Sequence, residues 1–143
     1  MVITLRKITE QDAAAIARLS GQLGYSASVA ATAQRIQAVL ENRDHCGYVA
    51  VADEKLIGWI HGFHTFRLES DAFVEVGGLV VDADYRSKGI GLMLVEQVKA
   101  WALERGVHKI RVRCNSSRME AHAFYRRIGF SESKEQKVFD GIS

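Results

Sequence analysis

The chain has 143 residues, of which 48% are hydrophobic and 25% charged, the balance of an ordinary globular domain with one full core. A formal charge of +2 gives no reason to expect nucleic acid or an anionic membrane as partner, and no apolar run approaches the roughly 20 residues that cross a bilayer. Cys46 and Cys114 lie far apart without metal-ligand or redox spacing, so they read as reduced core thiols. The N-terminus lacks a basic segment followed by a long apolar one, and the cytosol is the compartment expected.

Val2 to Lys7 alternates as a strand. Thr9 and Asp12 have the spacing of a capping box, and Ala13 to Leu23 reads as the helix they open, broken by Gly21 and Gly24. Val29 to Leu40 is a second helix, with Val29, Ala33, Ile36 and Leu40 as its apolar face. Cys46 to Ala52 and Leu56 to Phe66 flank Asp53-Glu54-Lys55 as a hairpin, and Ala72 to Val81 continues the meander. Gly89 to Arg105 is a long helix with Ile90, Leu94, Val98 and Trp101 inward, closed by Gly106. Lys109 to Cys114 alternates again, a helix spans about Arg118 to Arg127, and Phe130 to Phe139 is expected to add one or two closing strands. This order predicts a single α/β domain over residues 1–143, a mixed sheet covered by helices.

The chemistry concentrates in Gly78-Leu79-Val80-Val81-Asp82-Ala83-Asp84-Tyr85-Arg86-Ser87-Lys88-Gly89-Ile90-Gly91. A strand runs into a polar loop, and a helix opens at two glycines. The first N–H groups of a helix lack internal partners and sit at its positive end, so glycines there admit an anion to the backbone. A nucleotide-triphosphate loop would need Lys after its second glycine, where Leu92 stands. A dinucleotide fingerprint would need a small residue at Leu94.

Arg86, Gly89 and Gly91 form Arg-x-x-Gly-x-Gly after Leu79-Val80-Val81, and this resembles the acetyl-CoA pyrophosphate loop of the GNAT N-acetyltransferases. Asn115 to Phe130, with Ala121-x-x-Phe124-Tyr125 before Gly129-Phe130, resembles that family's later motif, in the version of bacterial small-molecule enzymes, some aminoglycoside N-acetyltransferases among them. The resemblance implies a GNAT sandwich, its mostly antiparallel sheet flanked by helices, that moves an acetyl group from acetyl-CoA to an amine. It implies that backbone groups of Ser87, Lys88, Gly89, Ile90, Gly91 and Leu92 bind the pyrophosphate, that Arg86 organises the loop, and that Leu79, Val80 and Val81 lie along the pantetheine arm. It further implies that Asn115 contacts the cofactor and that Tyr125 protonates the departing thiolate.

Many members carry a glutamate as general base where this chain has Gly77. Glu75, two residues earlier on the same strand face, is the candidate here, with His61, His64 and His122 as further ones. The acceptor site is expected from Gly24-Tyr25 to Leu40 and from His64 to Asp71, with Tyr25, Phe66, Glu69 and Asp71 as contacts. A small-molecule amine attacking directly in a ternary complex is the expected reaction. An acyltransferase acting on protein N-termini or lysines, and a CoA-binding regulatory module without catalysis, are the alternatives. Homodimers are common in the family, and the terminal strands would offer edges for pairing.

Overall fold

A computed structural model describes residues 1–143, which form two compact units, Met1–Val112 and Arg113–Ser143. In the first, β1 (Ile3–Lys7), α1 (Ala13–Gly21), α2 (Val29–Glu41), β2 (His45–Ala52), β3 (Lys55–Arg67), β4 (Ser70–Val81), α3 (Ile90–Glu104) and β5 (Ile110–Val112) follow in chain order. The sheet has the order β1-β2-β3-β4-β5, antiparallel except for the parallel pair β4–β5 that α3 connects. The second unit contains α4 (Met119–Arg127). No helix is long and apolar enough to cross a membrane.

The capping box forms as expected: Thr9 N–H donates to Asp12 at 2.8 Å, and the Arg6 guanidinium clamps the same carboxylate at 2.8 and 2.9 Å. Ile16, Leu19 and Ile36 from α1 and α2 pack on Val49, Leu56 and Val80 of one sheet face. α3 covers the other face, where Cβ atoms at Gly58 and Gly62 would press on Leu94 and Val98 at 3.2 and 3.0 Å. The β2–β3 turn places both Asp53 and Glu54 at positive φ (50° and 63°), as a two-residue hairpin with primed turn geometry demands.

Four expectations change. On α2 the buried residues are Thr32 and Ile36, while Val29 and Leu40 are about half exposed, because only one turn's width of this helix meets the sheet. On α3, Val95 and Ala102 join the buried stripe; Trp101 stays half-buried under the Arg105 guanidinium, 4.7 Å from its ring centroid. The strand after α3 stops at Val112, so Cys114 lies beyond it and is half-buried rather than a core thiol, whereas Cys46 is buried; both thiols are free. Residues 130–139 form no strand. Ser131 to Lys137 is an unbroken polar run with no apolar face to bury, and the edge expected for dimer pairing goes with it.

One buried charge ties the first unit together where β4 ends. Asp82 is 2% exposed; its carboxylate accepts from Asp84 N–H at 3.1 Å and faces Arg18 of α1 and Lys55 of β3, each at 3.7 Å. Its backbone N–H donates to Ile57 O at 2.8 Å, and Gln22 Oε1 accepts from Ala83 N–H at 2.9 Å. The chain leaving β4 is thereby fixed to α1 and β3. Burial alone would raise Asp82, yet the Asp84 N–H, the Gln22 amide and the two cations hold its carboxyl below the ordinary range. Asp12 behaves alike, the Arg6 and Thr9 hydrogen bonds outweighing burial. Both therefore stabilise the fold fully above the ordinary carboxylate pKa and lose that contribution as pH falls through their lower native values. Urea titrations should show stability dropping below pH ~4, and Asp82→Ala at pH 7 should cost about 1–3 kcal/mol by leaving its buried donors unmatched.

Candidate active site

The polar loop follows directly from that anchored exit. Asp82 caps a short 3₁₀ turn at Ala83–Tyr85, Arg86 is extended, and Ser87 (φ 62°) and Gly89 (φ 79°) are both left-handed. Gly89 is the N-cap of α3, and the first capping bond of that helix is Met93 N–H to Gly89 O at 3.0 Å. The N–H groups of Ile90, Gly91 and Leu92 thus precede the first intrahelical donor, at the positive end of a 15-residue helix. A Cβ on Gly89 would meet nothing within 4 Å, so its glycine answers to the backbone angle and the space before it is open. Arg86, Ser87, Lys88 and Gly89 are all exposed there. Open space, unpartnered donors and two cations fit a pyrophosphate.

The strand leading into this loop is paired differently on its two edges. β5 pairs with β4 only at Val74, Glu75 and Val76, whereas β3 pairs with it as far as Val81. From Gly77 to Val81 the edge of β4 that faces β5 carries no ladder; Asp82 N–H bonds back to β3, so by alternation the backbone groups of Leu79 and Val81 face that bare edge while those of Val80 face β3. A β-bulge begins this stretch: Gly62 pairs with Val76 and His61 with Gly78, so Gly77 is the extra residue. At the same end of the unit a depression of 350 Å³ is lined by Ala17, Gly21, Gly24, Tyr25, Ser26 and Ala27, part of the expected acceptor region. Tyr25 and Phe66 are exposed, as are Glu69 and Asp71 at the β3–β4 turn.

The candidate bases separate cleanly. Glu75 pairs with Phe63, and a Cβ on Gly77 would touch Phe63 and His61, so Glu75 and Gly77 do share a face despite the bulge. His61 lies on that face too, with Nε2 2.8 Å from Nδ1 of His45. His64 points to the opposite face, where Arg105 Nε donates to its Nδ1 at 3.3 Å within a cluster that includes Asp44. His122, on α4, is hydrogen-bonded to Asn115 O at 2.9 Å.

In the second unit, Asn115 Oδ1 accepts from Ser117 N–H and Oγ at 2.9 and 2.7 Å, a local turn that starts the approach to α4. The Tyr125 ring meets Phe124 and Phe130 edge-on, at 5.0 and 5.5 Å. Burial, seconded by Cys114 and opposed by Arg118, raises Tyr125 above the ordinary phenol value, so it keeps its proton across the neutral range. Burial likewise raises both thiols, Cys46 to about 12, which suits neither to nucleophilic attack. Sequence reasoning missed Asp82, Gln22 and His45. An aspartate directly after an apolar strand was the visible signal for the first; the other two acquire meaning only from register and packing.

Residues 13–130 match the sequence profile of the acetyltransferase (GNAT) family, which crosses both units. An uncharacterised N-acetyltransferase of Chlorobaculum tepidum is 29% identical over 125 residues, 87% of this chain and 73% of that one. An aminoglycoside N(6')-acetyltransferase type 1 of Stenotrophomonas maltophilia is 27% identical over 146 residues, covering 95% and 91%. The fold is that of AAC(6')-Iy bound to the bisubstrate analogue CoA-S-monomethyl-acetylneamine, with a TM-score of 0.88 over the whole of both chains at 17% identity. The chain therefore belongs to the acetyltransferase (GNAT) family, and acetyl-CoA is its cosubstrate.

Proposed function

We propose that this chain acetylates a primary amine of a small cationic molecule, and that the amine attacks the thioester directly while both substrates are bound. The observation that carries the reading is the one-sided pairing of β4 after Val76, opening onto the loop that starts α3 at Gly89. A phosphate-binding helix start and an unpaired strand edge in line with it suit an extended ligand whose pyrophosphate sits at one end. Residues 1–143 act in this reading as one N-acetyltransferase domain.

When bound, acetyl-CoA supplies an acetyl group activated as a thioester. Backbone N–H groups of Ser87 to Leu92 and the charges of Arg86 and Lys88 hold the pyrophosphate. Backbone groups of Leu79 and Val81 hold the pantetheine arm, and an N–H of this edge polarises the carbonyl, where negative charge grows during attack. Fixing both reactants accounts for a large part of the rate. Asn115 contributes a polar contact to the cofactor. Tyr125 supplies its phenolic proton to the departing sulfur; because the phenol is a weaker acid than a thiol, the transfer accompanies C–S cleavage rather than preceding it. Glu75 shares the face of Gly77 and favours a cationic acceptor electrostatically.

Support for a small acceptor comes from the aminoglycoside acetyltransferase named above; the depression beside Gly21, Gly24 and Tyr25 is shallow and open. Exposed Glu69 and Asp71 would attract a polyamine. Release of free CoA, followed with a thiol reagent, should appear with sisomicin and related aminoglycosides and not with lysine-containing peptides. Turnover of peptides alone would replace this acceptor by a protein. Tyr125→Phe should lower kcat by about 100-fold and leave the KM for acetyl-CoA nearly unchanged; an unaltered kcat would remove the tyrosine from the chemistry.

A further inference from the structure

We propose that His61 and His45 form a two-histidine proton relay that serves as the general base of this site, His61 Nδ1 taking the amine proton and His45 carrying it to solvent. The inference rests on the acetyl-transfer reading above. It is carried by geometry around one glycine.

His61 Nε2 and His45 Nδ1 are 2.8 Å apart, and the two rings are nearly coplanar, their planes 17° apart and their centroids separated by 5.1 Å. That is an in-line hydrogen bond, with one nitrogen donating and the other accepting. Phe63 flanks both rings, with centroids at 5.3 Å from His45 and 5.5 Å from His61. The free nitrogen of His61 faces β4: a Cβ built on Gly77 would lie 2.8 Å from His61 Nδ1 and 3.0 Å from Phe63 Cε1. Any side chain at position 77 would displace the imidazole. Gly77 therefore leaves its place to His61, beside the point where β4 loses its β5 partner.

The relay requires one pair of tautomers: Nε2 of His61 carries hydrogen and donates to Nδ1 of His45, whose own hydrogen is on Nε2, and Nδ1 of His61 is left to accept. As the nitrogen–carbon bond forms, the amine N–H proton passes to His61 Nδ1. The Nε2 proton of His61 moves to His45 Nδ1, and His45 gives up its Nε2 proton to water. One proton leaves the amine and one reaches solvent; both imidazoles end neutral, in the exchanged tautomers, and ring rotation or solvent exchange restores the first state. His45 and His61 are each half-buried, so the pair is partly open to water.

Other charged groups on this face are Glu75 on β4, the cations Arg67, Lys109 and Arg111, which gather over Phe73 farther along it, and, toward α1, the Arg6–Asp12 pair and Asp82 with Arg18 and Lys55. Burial, and after it the neighbouring His45, lowers His61 to about 4, which keeps its lone pair available at neutral pH.

Two measurements decide the proposal. Nitrogen-detected NMR of the imidazoles at pH 7 needs no acceptor, and it should show His61 protonated at Nε2 and bare at Nδ1. A hydrogen on Nδ1 of His61 would overturn the relay. With the amine that releases CoA, His61→Gln should lower kcat by about 100-fold at pH 7.5, and His45→Gln should make kcat depend on buffer concentration. In both variants acetyl-CoA should bind as in wild type by calorimetry, which also reports that they fold. Wild-type kcat in His61→Gln would eliminate the relay, whereas absent acetyl-CoA binding by wild type would instead remove the acetyl-transfer reading beneath it.

Discussion

The central constraint is that β4 is hydrogen-bonded on both edges only as far as Val76. A strand in mid-sheet ordinarily has every N–H and C=O committed to its neighbours. Here three residues of β5 suffice to hold the sheet together, and the next five of β4 keep a bare edge that runs to the anchored turn at Asp82. α3 starts beyond that turn, so the bare edge and the helix's unpartnered donors belong to one continuous backbone track. The track binds through main chain; where it ends, Gly89 answers to a left-handed φ of 79°, and where it begins, Gly77 and Gly78 answer to the close approach of His61 and Trp59.

Two irregularities in the sheet give that track its chemistry. The bulge at Gly77 keeps Glu75, Gly77 and the Gly78-facing side chains on one face while shifting the register beyond it. The second lies between β2 and β3, where Val51 pairs with Leu56 but Ala50 pairs with Gly58, leaving Ile57 unmatched. Without it His45 would stand opposite Gly62 and face α3; with it His45 stands opposite Phe63 and meets His61. A single extra residue, held partly by the Ile57 O bond to Asp82 N–H, thus determines whether the histidine pair exists. The same Asp82 that fixes the loop therefore bears on the register behind it.

Much of this was legible in the residues. Alternation in Val2–Lys7, and the apolar runs Cys46–Ala52 and Leu56–Phe66 on either side of a polar turn, located the strands to within a residue or so. The Thr9/Asp12 spacing and the glycines at 89 and 106 marked helix ends for local steric and hydrogen-bonding reasons, and so did the loop. What sequence could not carry was register. A bulge leaves no compositional trace at Ile57, and a one-residue slip exchanges the two faces of a strand. The polar tail was overread for the opposite reason: Phe130, Val138 and Phe139 suggested strands, but the seven polar residues between them offer no alternating face. Val29 and Leu40 satisfied a helical period without a surface to meet.

The most direct test of the account is acetyl-CoA titration by calorimetry on wild type and on Gly89→Glu, since glutamate would place a carboxylate and a strained φ where the pyrophosphate should lie. Saturable one-to-one binding by wild type, lost in the folded variant, is the predicted result. Equal binding by both proteins, or none by folded wild type, would contradict a cofactor track that ends at the start of α3.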